Sequence, residues 1–168
     1  MLPVMLRDLL SSSIATTLKN LQFVSAFHWS KMLAGGESLH SLTQLRRLAV
    51  NRNFFIPPAS TSSDDTPLAH ILPPSLQRLA VLRFNKGGSN TTHFMRRLKE
   101  YVDTKSRYML EFKQIGTWDG NIGREHGLHG VRDFTELLAA CRQAGVKFYG
   151  TLPGDDQNKL YDLSTTSI

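Results

Sequence analysis

The chain has 168 residues, 40% of them apolar and 20% charged, a balance that suits a folded globular protein and excludes a disordered one. Twenty Lys and Arg against fourteen Asp and Glu leave a formal charge of +6; this admits acidic or nucleic-acid partners, although the basic residues stand in scattered pairs and not in a run. The lone cysteine, Cys141, excludes an internal disulfide framework and favours the reducing cytoplasm or nucleus, and no apolar run has the length that crosses a bilayer.

From the N-terminus, MLPVMLRDLLSSSIATTL is interrupted by Pro, Arg and hydroxyl residues and is too broken for a secretory leader. It reads as part of the fold, with 4–17 as a helical cap. A first strand is expected near 20–25, AGGES (34–38) marks a turn, and a second strand follows near 47–52. IPPASTSSDDTP (56–67) has the composition of a surface loop. TPLAHILPPS reads as a short apolar helical turn stopped by Pro-Pro, which forces extended backbone into a strand near 78–83. After the NKGGSN loop, Thr91 or Thr92 is placed to cap a helix near 92–103, whose Phe94, Leu98, Tyr101 and Val102 share one face. A strand near 112–118 precedes a helix near 131–144, with Phe134, Leu137, Leu138 and Cys141 on its apolar face and Gly145 as its stop. A last strand near 146–150 completes a single domain, 1–152, and the aperiodic residues 153–168 read as a mobile tail.

An internal echo organises these elements. LKNLQFV from Leu18, LRRLAVN from Leu45 and LQRLAVL from Leu76 share Leu-x-x-Leu-x-apolar, and FKQIGTW from Phe112 is a weaker copy. Strands alternating with helical segments predict an α/β fold, a parallel sheet of about five strands with helices on one side. Alternation then turns Leu21, Leu48, Leu79 and Ile115 towards the helices and leaves three columns on the open face. The first is Asn20, Arg47, Arg78, Gln114; the second is Gln22, Ala49, Ala80, Gly116; the third is Val24, Asn51, Leu82, Trp118. Arg47 and Arg78 would stand about 5 Å apart on adjacent strands, like charges whose direct opposition is mildly destabilising. The small second column leaves room for close approach, and Leu82 and Trp118 offer apolar contact. The expected protein-binding face is therefore Arg47, Asn51, Arg78, Leu82, Gln114 and Trp118, taking an acidic segment of another protein. A plainer alternative stays open: solvated arginines, and a Trp118 packed under the loop that follows it.

LPPSLQRLAVLRF resembles the repeat units of F-box/leucine-rich-repeat-like proteins common in filamentous fungi, and FTELLAACRQAGVKF is similar to the way such proteins close. The resemblance runs over residues 18–150. It implies a short, irregular leucine-rich-repeat-like solenoid serving in substrate recognition, with a ubiquitin-ligase link where a full-length form has an F-box. No F-box is recognisable in this sequence, and the Asn or Cys ladder of a standard repeat is not evident. A poorly covered first strand would leave an edge open to self-association.

Sites for chemistry are sparse. His126 and His129 in REHGLHG are spaced for one metal on a helix, but Gly127 and Gly130 point to a loop and no second ligand pair stands at a usual spacing. NKGGSNTTH lacks the order of a phosphate-binding loop. Cys141, on an apolar stripe, reads as a buried and inert thiol. The expectation is a non-catalytic interaction module with no metal and no cofactor. The alternative is a basic nucleic-acid-binding domain that uses Arg96, Arg97 and Lys99.

Overall fold

The structure is a computed structural model that describes residues 2–23, 38–51, 54, 66–82, 90–105, 107, 108, 110–117, 127–150 and 161–165. In chain order, helix α1 (Leu2–Ser11) and a 3-10 turn (Ser13–Thr16) lead into strand β1 (Asn20–Phe23). A 3-10 turn (Leu39–Ser41) precedes β2 (Arg47–Asn51), and the short helix α2 (Leu68–Ile71) precedes β3 (Arg78–Leu82). Then come α3 (Asn90–Asp103), β4 (Gln114–Thr117), α4 (Gly127–Ala144), β5 (Lys147–Gly150) and β6 (Tyr161–Asp162).

The fold is mixed α/β, built on one 6-stranded sheet in the order β1-β2-β3-β4-β5-β6. Each strand from β1 to β5 lies parallel to the next, and β6 returns antiparallel to β5. The spatial order is the sequence order, so each connection carries the chain one place sideways. The entry to successive strands is pinned in the same way. The amides of Arg46 and Arg47 both donate to the Lys19 carbonyl, those of Gln77 and Arg78 to Arg46, and those of Lys113 and Gln114 to Gln77. The leucine echo thus has a backbone counterpart, because each copy after the first begins with two amides sharing one carbonyl of the copy before it.

Alternation along the strands fills one side. Leu48 and Val50, Leu79 and Val81, Ile115 and Phe148 are buried in a single core with Phe94, Leu98, Tyr101 and Val102 of α3 and Leu137, Leu138 and Cys141 of α4. Burying each such side chain contributes about 1.5–3 kcal/mol. Edge-on ring pairs join the layers: Tyr101 meets Phe112 at 4.9 Å and Phe134 meets Phe148 at 5.7 Å between centroids. At the N-terminal side, Leu6 of α1 and Ala15 are buried in the same core.

The end of α4 is set by Gly145, whose φ of 65° is the left-handed conformation that closes a helix. Its amide donates to the Arg142 carbonyl at 3.2 Å, and that of Val146 to Cys141 at 2.8 Å, which satisfies two of the last carbonyls. Lys105 supplies a third bond, donating Nζ to the Ala144 carbonyl at 2.9 Å.

Several expectations are corrected. The sheet has a sixth strand, because the tail is docked over residues 161–165. Leu163 is buried there, its amide donates to the Phe148 carbonyl at 2.8 Å, and Arg142 Nε donates to the Ser164 carbonyl at 2.5 Å. A strand of two residues, Tyr161–Asp162, is too short to show a periodicity from which to read it. Helix α3 starts at Asn90 and already contains Thr91 and Thr92, so neither is its cap. Helix α4 starts at Gly127, taking in Gly127–Gly130, which composition assigns to a loop. Val24, Trp118 and His126, the turn 34–37, the loop 56–65 and the tail positions 153–160 and 166–168 lie outside the described residues.

Candidate binding face

The strand register brings the outward residues into rows that cross the sheet. Asn20 pairs with Arg47, Arg47 with Arg78, Arg78 with Gln114, and Gln114 with Lys147. A second row joins Gln22, Ala49, Ala80, Gly116 and Tyr149. The rows keep step because each unit after the first enters its strand on a carbonyl at the equivalent position of the strand before it. Arg47, Arg78 and Lys147 are exposed, Gln114 half-buried, and neighbouring strands are about 4.8 Å apart.

The first row contains no carboxylate. Among the described residues no ion pair reaches Arg47, Arg78 or Lys147. Arg47 and Arg78 are directly opposed like charges, which costs a few tenths of a kcal/mol to about 1 kcal/mol. An anion placed between the two would relieve it.

Beside the cations, Ala49, Ala80 and Gly116 form a floor with little side-chain bulk. The surface there sinks into a depression of about 480 Å³ that spans β1 to β4, with Arg47, Arg78 and Gln114 along it. Its open, shallow form suits a peptide or the end of a side chain more than an enclosed small molecule.

The residues just ahead of the strands have a different character. Arg46, adjacent to Arg47 in sequence, pairs with Glu111 at 2.9 Å, and the Gln77 side-chain amide donates to the same carboxylate oxygen at 2.8 Å. The Gln77 hydrogen bond, followed by the Arg46 charge, holds the Glu111 carboxyl below its ordinary range.

The structure brings together Arg47, Arg78 and Gln114 in one row and sets Asn51 opposite Leu82 in another. Asn51 is corrected: it is only 8% exposed, so the end of β2 is buried where the column pattern puts open surface. Leu82 is half-buried, and Trp118 falls outside the described residues. On α3, Arg97 is also corrected, being 5% exposed and donating Nη2 to the Thr66 carbonyl, which removes it from any phosphate-contacting surface. Lys99 pairs with Asp103 one turn on at 2.7 Å, and that hydrogen bond raises its pKa. Arg96 is exposed.

Lys147 and Tyr149 escape a reading of the sequence by Leu-x-x-Leu copies, because the echo ends before β5. The alternation in VKFYG carries the signal: aligning inward Phe148 with Ile115 puts Lys147 beside Gln114 and Tyr149 beside Gly116. Beyond Tyr149, β6 contributes Asp162, whose carboxylate accepts from the amide and the hydroxyl of Ser164.

No protein-family model, curated protein or solved structure matches this chain. The face therefore has to be interpreted from its own chemistry. Among the described residues, no group of three or more His, Cys, Asp or Glu is placed to hold a metal ion. Cys141 is fully buried, and burial pushes its thiol up to about 12, far from the thiolate that nucleophilic chemistry needs.

Proposed function

We propose that this protein is a non-catalytic interaction module whose open sheet face takes an acidic segment of another protein. The observation that carries this reading is the in-register pair Arg47–Arg78, exposed, with no ion pair among the described residues and adjoining a floor of Ala49, Ala80 and Gly116. Repeated strand entry and one-place sideways connections support a finer description of the fold as a short, irregular leucine-rich-repeat-like solenoid. The resemblance to F-box/leucine-rich-repeat-like proteins extends this to a role in substrate recognition, with the ubiquitin-ligase link reserved for a form that has an F-box. The proposed compartment is cytoplasm or nucleus; among the described residues no helix is long and apolar enough to cross a membrane.

Affinity capture followed by mass spectrometry, comparing the wild type with Arg47→Glu/Arg78→Glu, tests the reading. Proteins with acidic stretches should be retained by the wild type and lost by the variant, and a ligase adaptor among them would support the F-box link. Identical protein sets on both would contradict the reading. Salt-sensitive nucleic acid held equally by both would favour the nucleic-acid alternative, now limited on α3 to Arg96 and Lys99.

A further inference from the structure

The open face has a direction. Its cations stand one per strand: Arg47 on β2, Arg78 on β3, Lys147 on β5. A ligand lying along β2 would meet Arg47, then Ala49, and then the buried Asn51. A ligand lying across the strands would meet all three cations in turn. The small floor runs the same way, from Ala49 through Ala80 to Gly116. Each of β2 to β5 is already paired on both sides, so recognition here proceeds through side chains and not by strand addition.

Resting on the reading of this face as a site for an acidic segment, we infer that the segment crosses the strands from β2 to β5 and that Lys147 and Tyr149 form its far end. Three strand spacings separate Arg47 from Lys147, about 14 Å. Residues on one side of an extended chain recur about every 6.7 Å, so three acidic residues at alternate positions span that distance. The first two fall within reach of Arg47 and Arg78, and the third reaches Lys147. Tyr149, half-buried and in register with Gly116, closes the small-residue floor. The next position in that row is Asp162 of β6, so the row carries no further cation beyond Tyr149.

Two labelled peptides of equal composition test this by fluorescence anisotropy, Glu-Ser-Glu-Ser-Glu and Ser-Ser-Glu-Glu-Glu. The wild type should bind the alternating peptide about fivefold more tightly than the block, the scale of one added ion pair. Lys147→Glu should abolish that preference and Lys147→Gln reduce it, with far-UV circular dichroism unchanged. Tyr149→Ala should weaken the alternating peptide more than the block. Equal binding of the two peptides with no effect of Lys147→Glu, while Arg47→Glu/Arg78→Glu still abolishes binding, overturns the crossing geometry and leaves the acidic-segment reading standing. Absence of binding by the wild type, or undiminished binding by Arg47→Glu/Arg78→Glu, overturns both. An oligothymidylate that displaces the peptide and depends on Lys147 in the same way would assign the row to nucleic acid and overturn the inference.

Discussion

Arg46 and Arg47 are neighbours in the chain with opposite surroundings. Arg46 is held by Glu111, whereas Arg47 faces Arg78. Arg78→Ala should therefore leave stability in urea unchanged or raise it by a few tenths of a kcal/mol. Arg46→Ala should lower it by about 0.2–1 kcal/mol, the scale of an exposed ion pair. A loss above about 1 kcal/mol for Arg78→Ala would mean that its side chain has a packing role. The depressed Glu111 pKa has a definite sign. Its contribution is present above the unfolded-state value of about 4.3 and is lost as pH falls through the lower folded-state value. Glu111→Gln should slightly flatten the acid limb of the stability curve, and only slightly, because the carboxylate is well exposed to water. Cys141, fully buried with its thiol pushed up to about 12, should resist alkylation by iodoacetamide at neutral pH until the fold opens. Rapid labelling of the native protein would contradict that packing.

At the scale of elements, Gly145 and Gly150 each have a fixed role at the end of an element. A methyl group added at Gly145 would meet open space, but the φ there is left-handed, so Gly145→Ala should cost about 1–2 kcal/mol through the backbone alone. Gly150 is the reverse case: a Cβ there would lie 2.9 Å from Leu163 Cδ1 and 3.3 Å from Thr117 Oγ1. That close approach lets β6 lie against β5. Leu163→Ala, emptying a buried site, should cost about 2–5 kcal/mol, measured by chemical denaturation; a change of a few tenths would mean that the returning strand adds little. The apolar stripes of α3 and α4 are legible in the sequence because Phe94, Leu98, Phe134 and Leu137 recur at helical spacing. Strand β6 is not, since its two residues have no alternation to read. Arg97 is misplaced by sequence alone because an arginine reads as surface, while here the Thr66 carbonyl gives its buried guanidinium a partner.

At the scale of the molecule, the parallel sheet follows from a motif that returns unevenly in sequence but evenly in space. The connections between strands absorb the differences in length, so Arg47 and Arg78 come into register although the copies are irregularly spaced. The first two rows of the open face can be read from Leu-x-x-Leu alone; their extension to Lys147 and Tyr149 cannot, because β5 has a different approach, turned by Gly145 straight out of α4. The row of cations is the proposed seat of an acidic chain. Two-dimensional NMR of the backbone amides during titration with Glu-Ser-Glu-Ser-Glu tests it most directly. Shifts concentrated at Arg47, Arg78, Gln114 and Lys147, across four strands, are the predicted result. Shifts centred on Arg96 and Lys99 of α3, with the sheet silent, would contradict it.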